Sequence, residues 1–457
     1  MNDIKNKIVG SLLGGAIGDA LGYQIEFKRN IKEKEFTKYE NDKGIISDDT
    51  QMTLFTANAL IWRETRGSMR GIAMMPVDAI YEGYLDWLDT QNNTNLHDHK
   101  ISWIKNIKEL NVSRAPGNTC LSALSSGKKG TIEQPINDSK GCGGIMRVAP
   151  IGLYMKNPEY AGKFAAEASA ITHGHPLGII PSYVFSTMLY FIVNENLNIE
   201  DSLNKAMNQY KEKFNIYDNE VNEYFINIVD NAIKLSKANI SDIDAISELG
   251  EGWVAEEAFA IAIYSCLRYE SSFEDAIICA INHDGDSDST GSIAGNIMGA
   301  LLGYDDIPKY YIDNLELKDI IIEIAEDLST PVPVDEYNAN NDEYWLSKYS
   351  KCERDSSMKK INDYMKKFID GPEPILTELD EEFEKYCKLY EEKFGKKAYI
   401  AEPSGTKQQT IDAIKICLEK NKDLLDNLLY LNYDIDQMIQ DIDKKLAELE
   451  EEEKKEN

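Results

Sequence analysis

Apolar residues recur every three to four positions in "MTLFTANALIWRE", "AIYEGYLDWL", "PSYVFSTMLYFIVNE", "VNEYFINIVDNAIKL", "AEEAFAIAIYSCLR" and "DAIICAIN". That spacing gives a helix one apolar face. Few runs alternate with the two-residue period of a half-buried strand, so the chain is expected to be mostly or wholly α-helical. Glycine and the less ordinary chemistry collect between these stretches, in "RAPGNTCLSAL", "SKGCGGIMRVAPIG", "ITHGHPLG" and "HDGDSDSTGS". The layout is that of a helical scaffold with a site built on its loop ends.

Two glycine ladders interrupt the pattern: Gly10, Gly14, Gly18 and Gly22, and Gly291, Gly295, Gly299 and Gly303, each stepping by four. A mid-helix glycine costs roughly 1 kcal/mol relative to alanine, so eight of them on two stripes call for a packing reason. Each stripe would let another backbone approach closely, and the two segments are expected to pack on each other from opposite ends of the chain. Asp19 and Glu26 would then meet Asp286 and Asp288. Turns or a loosely packed core would account for the same glycines without that meeting.

At 457 residues the chain exceeds the usual size of one core. The character changes near Thr330, at "TPVPVDEYNANNDEYW", with further breaks at "DGPEP" and "AEPSGT". The expected division is therefore a main domain over 1–329 and an acidic, mostly helical accessory extension over 330–457, which ends in an amphipathic helix pair and an acidic tail. The extension is read either as a helical cap or as a surface for a protein partner. A formal charge of −30 argues against direct binding of nucleic acid or an anionic membrane. Seven scattered cysteines fit reduced thiols better than a disulfide frame or a zinc site. The apolar start is interrupted by Asp19 before it could span a bilayer, and a cytoplasmic location is expected.

Two acidic stretches carry the candidate chemistry. In "ISDDTQ", Ser47 suits a helix N-cap and Asp48 and Asp49 a first turn, which explains them as helix-end residues. In "HDGDSDSTG", Asp284, Asp286 and Asp288 crowd together and would repel unless a cation or solvent took up the charge. Hydroxyl and carboxylate sets from two loops are the hard oxygen donors that Mg2+, Mn2+ or Ca2+ prefer. A calcium-binding hand is excluded because Ser289 and Gly295 stand where glycine and glutamate are required. A phosphatase nucleophile loop would need an α/β fold, and a solvated acidic turn is the plain alternative.

The blocks "GSLLGGAIGDALGYQIEF", "ISDDTQMTL", "GCGGIMRVAPIGL", "ITHGHPLG", "GEGWVAEEAFAIAIY" and "HDGDSDSTGSIAGNIMGALLG", in this order, closely resemble the ADP-ribosylglycohydrolase family over about Ile8 to Leu328. The resemblance implies an all-α orthogonal bundle holding two Mg2+ or Mn2+ ions, and hydrolysis of the bond joining ADP-ribose to a modified group. It implies Ser47, Asp48 and Asp49 as one metal cluster and Asp286, Asp288 and Ser289 as the other. It makes Glu26 a mobile glutamate after the first helix and Asp19 an acid upstream of it. Ser139, Lys140, Gly141, Cys142, Gly143 and Gly144 match a loop that wraps the diphosphate and distal ribose, with Cys142 where several relatives carry asparagine. His173 matches a histidine facing ADP-ribose, although a packed core histidine is an equal reading for it and for His175.

Cleavage through an oxocarbenium-like state calls for a positioned ribose and an activated water. Asp48, Asp49 or Asp286 is then the candidate base, and Glu26 gates the site or assists the leaving group. An acid-lined entrance suits a guanidinium, so ADP-ribosylated arginine on a protein is the expected substrate. A reader that binds ADP-ribose without cutting it, and hydrolysis of a serine or nucleobase linkage, are the alternatives.

Overall fold

Helices stand where the three-to-four spacing predicts them. The computed structural model describes residues 3–92, 100–214, 216–335, 341–354, 378–398, 407–421, 423 and 425. Among these the chain is all-α, and its only β pairing is two isolated bridges, Gly44 with Leu315 and Gly141 with Val254. The order is α1 (Asp3–Tyr23), α2 (Asp48–Arg70), α3 (Pro76–Asn92), α4 (Asn118–Ser125), α5 (Ala149–Tyr154) and α6 (Pro158–Ala170). It continues with α7 (Pro176–Asn194), α8 (Ile199–Lys213), α9 (Asn219–Ser236), α10 (Asp242–Leu249), α11 (Ala255–Arg268) and α12 (Phe273–Ile281). Then come α13 (Ser287–Leu302), α14 (Lys309–Asp313), α15 (Lys318–Ser329) and α16 (Glu343–Tyr349).

The two glycine ladders meet. A Cβ placed on Gly10, Gly14 or Gly18 of α1 would run into the carbonyl oxygen of Gly299, Gly295 or Gly291 of α13, and one on Gly22 into that of Ser287. The register is antiparallel, because rising numbers on α1 face falling numbers on α13. Every residue of α1 from Lys7 to Gly22 is buried, as is α13 from Ser287 to Ala300. The pair therefore forms the centre of the bundle, with α15 and α12 packed against it. α7 is long and apolar enough by length and composition to cross a membrane, but 89% of its apolar window is buried inside the protein.

The seam fixes where three helix ends lie. The C-terminal end of α1 is brought against the N-terminal end of α13. Asp19, fully buried on α1, then accepts the backbone amides of Ser47 (3.0 Å) and Thr50 (3.1 Å) and the Thr50 hydroxyl, so the first turn of α2 is tied to the same place. Ser47 itself caps α2, its hydroxyl accepting the Asp49 amide at 3.2 Å.

The chain divides into two compact units, 1–361 and 362–457. The residues just beyond Thr330 pack within the first unit: the Trp345 indole donates to Thr65 at 2.8 Å, and Lys348 pairs with Glu323 at 2.9 Å. In the second unit, helices Glu378–Phe394 and Lys407–Lys420 share a small core of Tyr390, Ala413, Ile414, Cys417 and Leu425. The rest of the expected helix pair, the acidic tail and the breaks at "DGPEP" and "AEPSGT" lie outside the described residues.

On propensity alone Gly18→Ala should stabilise α1 by roughly 1 kcal/mol. Because the added methyl would meet the Gly291 backbone, the expected result has the opposite sign, a loss of about 1–3 kcal/mol from overpacking, readable by urea denaturation.

Candidate active site

The ends of α1, α2 and α13 open into a pocket of about 210 Å3 that is walled by Glu26, Asp48, Asp49, Asp286 and Asp288. Asp48 and Asp49 stand in the first turn of α2, Asp288 in that of α13, and Asp286 caps α13. Both helices point their positive ends at the pocket, which favours carboxylates there. Asp48 accepts the Gly117 amide at 3.3 Å, and Asp49 accepts the Ser289 hydroxyl at 3.0 Å, across 240 residues of sequence. The Ser289 amide lies 3.2 Å from Asp286 and 3.0 Å from Asp288.

This much negative charge is poorly compensated. Among the described residues none of the five acids is ion-paired with a lysine or arginine, and Glu26 Oε2 is buried without a hydrogen-bond partner. Burial first, and mutual repulsion second, hold Asp48, Asp49 and Asp288 well above the usual carboxylate range. Glu26 is pushed to about 8 by burial and by Asp286, Asp48 and Asp19. Asp19 rises to about 6 through burial, against its hydrogen bonds to Thr50 and Ser47.

The glycine-rich loop forms the opposite wall. Ser139 to Gly144 is stitched to the segment before α11: the Cys142 amide donates to Trp253 O at 3.3 Å and the Ala255 amide to Lys140 O at 2.9 Å. Cys142 donates its thiol to Asp286 Oδ2 at 2.7 Å, and burial with the nearby carboxylates keeps that thiol protonated. His173 is buried below the loop, and a Cβ on Gly143 would stand 3.1 Å from its ring. Burial and Arg147 lower His173 to about 3, so the ring is neutral. Arg147 donates to the Thr172 hydroxyl at 2.6 Å, and that hydroxyl lies 2.8 Å from His173 Nδ1. Arg147 and the Thr172 hydroxyl together hold the ring in place from its Nδ1 side.

Of the residues singled out by sequence, Glu26, Asp48, Asp49, Gly141, Cys142, Gly143, His173, Asp286, Asp288 and Ser289 line the pocket. Asp19, Ser47, Ser139, Lys140 and Gly144 do not. Asp19 and Ser47 are engaged in holding α2, and Lys140 pairs with the buried Glu256. Ser139 hydrogen-bonds Thr119 at 3.2 Å, and Gly144 packs on Ser169. His175 is the N-cap of α7, and His283 is buried against Thr290. Ala115, Gly117, Asn118, Thr119, Cys120, Met146 and Trp253 also line the pocket. The "APGNT" turn before α4 was the available signal for four of them, since a turn that opens a helix presents backbone amides.

Asp284 serves a different end. Its two oxygens accept the amides of Asn30 and Ile31, each at 2.9 Å, while Asn282 clamps both backbone groups of Phe36 at 2.7 and 2.8 Å. The acidic stretch therefore moors the loop that carries Glu26. At the mouth Phe27 stacks on Trp253, ring centres 6.3 Å apart.

Among the described residues no group of three or more His, Cys, Asp or Glu side chains is arranged to hold a metal ion as it stands. The carboxylate oxygens are turned toward helix-end amides and hydroxyls. The donor chemistry does suit a hard divalent cation: all-oxygen donors, buried, uncompensated, with one orphan oxygen on Glu26.

A helical bundle whose central seam delivers a nest of buried acids to a glycine-rich loop is a fold and site that can be compared with those of known proteins. The family profile of ADP-ribosylglycohydrolase matches residues 1–337, and the chain belongs to that family. It is 26% identical to ADP-ribosylhydrolase ARH3 of Homo sapiens over 197 residues, 39% of this chain and 54% of that protein, about half its length. It is 23% identical over 284 residues to ADP-ribosyl-[dinitrogen reductase] glycohydrolase of Rhodospirillum rubrum, covering 60% of this chain and 75% of that one. A solved ADP-ribosylglycohydrolase-related protein complex shares the fold, with TM-score 0.51 and 21% identity over 72% of this chain and 98% of the other.

Two outcomes are expected. Groups whose pKa is raised by folding bind more protons in the folded than in the unfolded chain, so stability is present below the unfolded value and is lost as pH rises through the folded one. The windows run from 3.8 to about 6 for Asp19 and from 4.5 to about 8 for Glu26. Thermal melts of metal-free protein should fall from about pH 5 to about pH 8, and Mg2+ or Mn2+ should raise the midpoint more at the upper end. Second, Asp284→Ala removes two charge-assisted bonds worth about 1.5–3 kcal/mol each. Hydrogen exchange at Asn30 and Ile31 should then accelerate on the order of tenfold or more, with the α1 core unchanged.

Proposed function

We propose that the chain hydrolyses the glycosidic bond between ADP-ribose and a modified group, and that its substrate is ADP-ribosylated arginine on a protein. The observation that carries this reading is the convergence of five buried, uncompensated carboxylates on one pocket facing the Ser139–Gly144 loop. Membership of the family supports the reaction class. The acidic lining supports the linkage, because a guanidinium leaving group is drawn to a pocket with no lysine or arginine paired to its acids.

Two divalent cations, Mg2+ or Mn2+, complete the proposal; Asp48, Asp49, Asp286 and Asp288 with the hydroxyl of Ser289 would hold them, while Ser47 keeps the first turn of α2 in place. When bound they supply positive charge that offsets the acids, orients ribose hydroxyls and acidifies a water. The chain's own residues do the rest. Gly141, Gly143 and the neutral ring of His173 line the wall that faces the diphosphate. An aspartate among Asp48, Asp49 and Asp286 takes the proton of the attacking water. Glu26, beside Asp48 and Asp286 with an unpartnered oxygen, supplies a proton on the leaving side. Phe27 and Trp253 cover the mouth.

Purified protein with Mg2+ or Mn2+ should release free ADP-ribose from arginine-linked substrate faster than from serine- or nucleobase-linked substrate. Preference for either of the latter overturns the linkage, and tight binding with no release makes the protein a reader. Glu26→Gln should lower kcat by about 10²–10⁴ with ADP-ribose affinity retained. Unchanged turnover removes Glu26 from the chemistry.

A further inference from the structure

Trp62, Arg66 and Arg70 follow one another at steps of four along α2, so they share one face of the helix. They line an open cavity of about 470 Å3, together with Lys100, Glu82 and Tyr349 among others. This cavity is larger than the acidic pocket and lies at the other end of the same helix. From Asp49 to Arg66 is roughly 25 Å at about 1.5 Å per residue.

Its lining is basic in a chain with 79 acids against 49 bases. Among the described residues Arg66, Arg70 and Lys100 enter no ion pair, and Glu82 is the one acid among the residues lining the cavity. Arg70 in the last turn of α2 is favoured by the helix dipole, but Arg66 one turn earlier repels it, and Lys100 comes from outside the helix. Three unneutralised cations around a concave surface are the electrostatic footprint of an anion site. Two guanidinia one turn apart suit the oxygens of a phosphate. The indole of Trp62, with the Arg66 guanidinium 5.7 Å from its ring centre, adds a flat surface beside them. The volume falls in the range that admits small ligands, roughly 300–1,000 Å3.

We propose that this cavity is a second ligand site, separate from the acidic pocket, that binds a small phosphate-bearing molecule with a flat ring, the chemistry of a nucleotide. Phosphate oxygens are held by Arg66, Arg70 and Lys100, and the ring lies against Trp62. The cavity is lined by three cations and one acid, whereas the pocket at the other end of α2 is lined by five acids, so the two sites are told apart by charge-reversing variants in the cavity.

The test is calorimetric titration of the full chain, in phosphate-free buffer, with AMP as the probe and adenosine and inorganic phosphate as comparators. Wild type is measured against Arg66→Glu/Arg70→Glu, two exposed positions, with thermal melting to confirm folding, and Lys100→Glu serves as a second, independent variant. Binding of AMP at the acidic pocket contributes equally to all three proteins, so the difference reports the cavity alone. Expected are AMP binding that weakens at least tenfold in each variant and with added salt, adenosine binding too weak to detect, and inorganic phosphate binding at least tenfold weaker than AMP. Equal AMP affinity in wild type and variants overturns the proposal, as does the absence of AMP binding to wild type. Adenosine binding as tightly as AMP removes the phosphate from it, and phosphate binding as tightly as AMP removes the ring. Either result overturns it as stated.

Discussion

The close approach of α1 and α13 is the constraint on which the rest of the structure depends. Where Gly10, Gly14 and Gly18 face Gly299, Gly295 and Gly291, backbone lies on backbone with no room for a methyl group. That proximity sets the N-terminal end of α13 beside the C-terminal end of α1, and Asp19 then draws in the first turn of α2. The glycines weaken both helices in isolation and strengthen the bundle, since dispersion attraction along the full length of two helices outweighs a propensity loss of about 1 kcal/mol per glycine.

What this seam assembles is electrostatically unfavourable on its own. Carboxylates from three helix ends share one buried pocket, and the positive helix ends, a few amides and the Ser289 hydroxyl offset only part of their repulsion. Packing forces the acids together and leaves the charge to be settled by protons or by cations. The Cys142 thiol, donating to Asp286, contributes a further hydrogen bond without adding charge. An acid nest of this kind is a liability for stability that makes sense as a site.

The loops around the pocket are held by residues outside it. Asn282 and Asp284 moor the segment carrying Glu26, Arg147 and Thr172 hold the His173 ring, and the Gly141–Val254 bridge fixes the glycine loop against the start of α11. Of the three acids in "HDGDSDSTG", two face the pocket and one holds a neighbouring loop, so residues adjacent in the sequence have separate tasks.

Local pattern determined the helices, because an apolar face recurs at a fixed spacing whatever lies opposite it. The stretches around Met52, Val221 and Ala255 and the two glycine ladders were legible in this way, as were the acids at Asp48, Asp49, Asp286 and Asp288. The ladders even implied their own pairing, since a side-chain-free stripe has little use except close approach. Tertiary structure alone decided which polar residues reach the pocket. Asp19, Ser47 and Lys140 carry the same donors and acceptors as their neighbours, but Asp19 and Ser47 are spent on capping α2 and Lys140 on Glu256. Nor could a linear string of residues bring Cys120 and Trp253 to the wall, or gather Arg66, Arg70 and Lys100 around one cavity. Periodicity records what a residue does for its own helix; what it does for a site depends on neighbours that are distant in sequence and are set by packing.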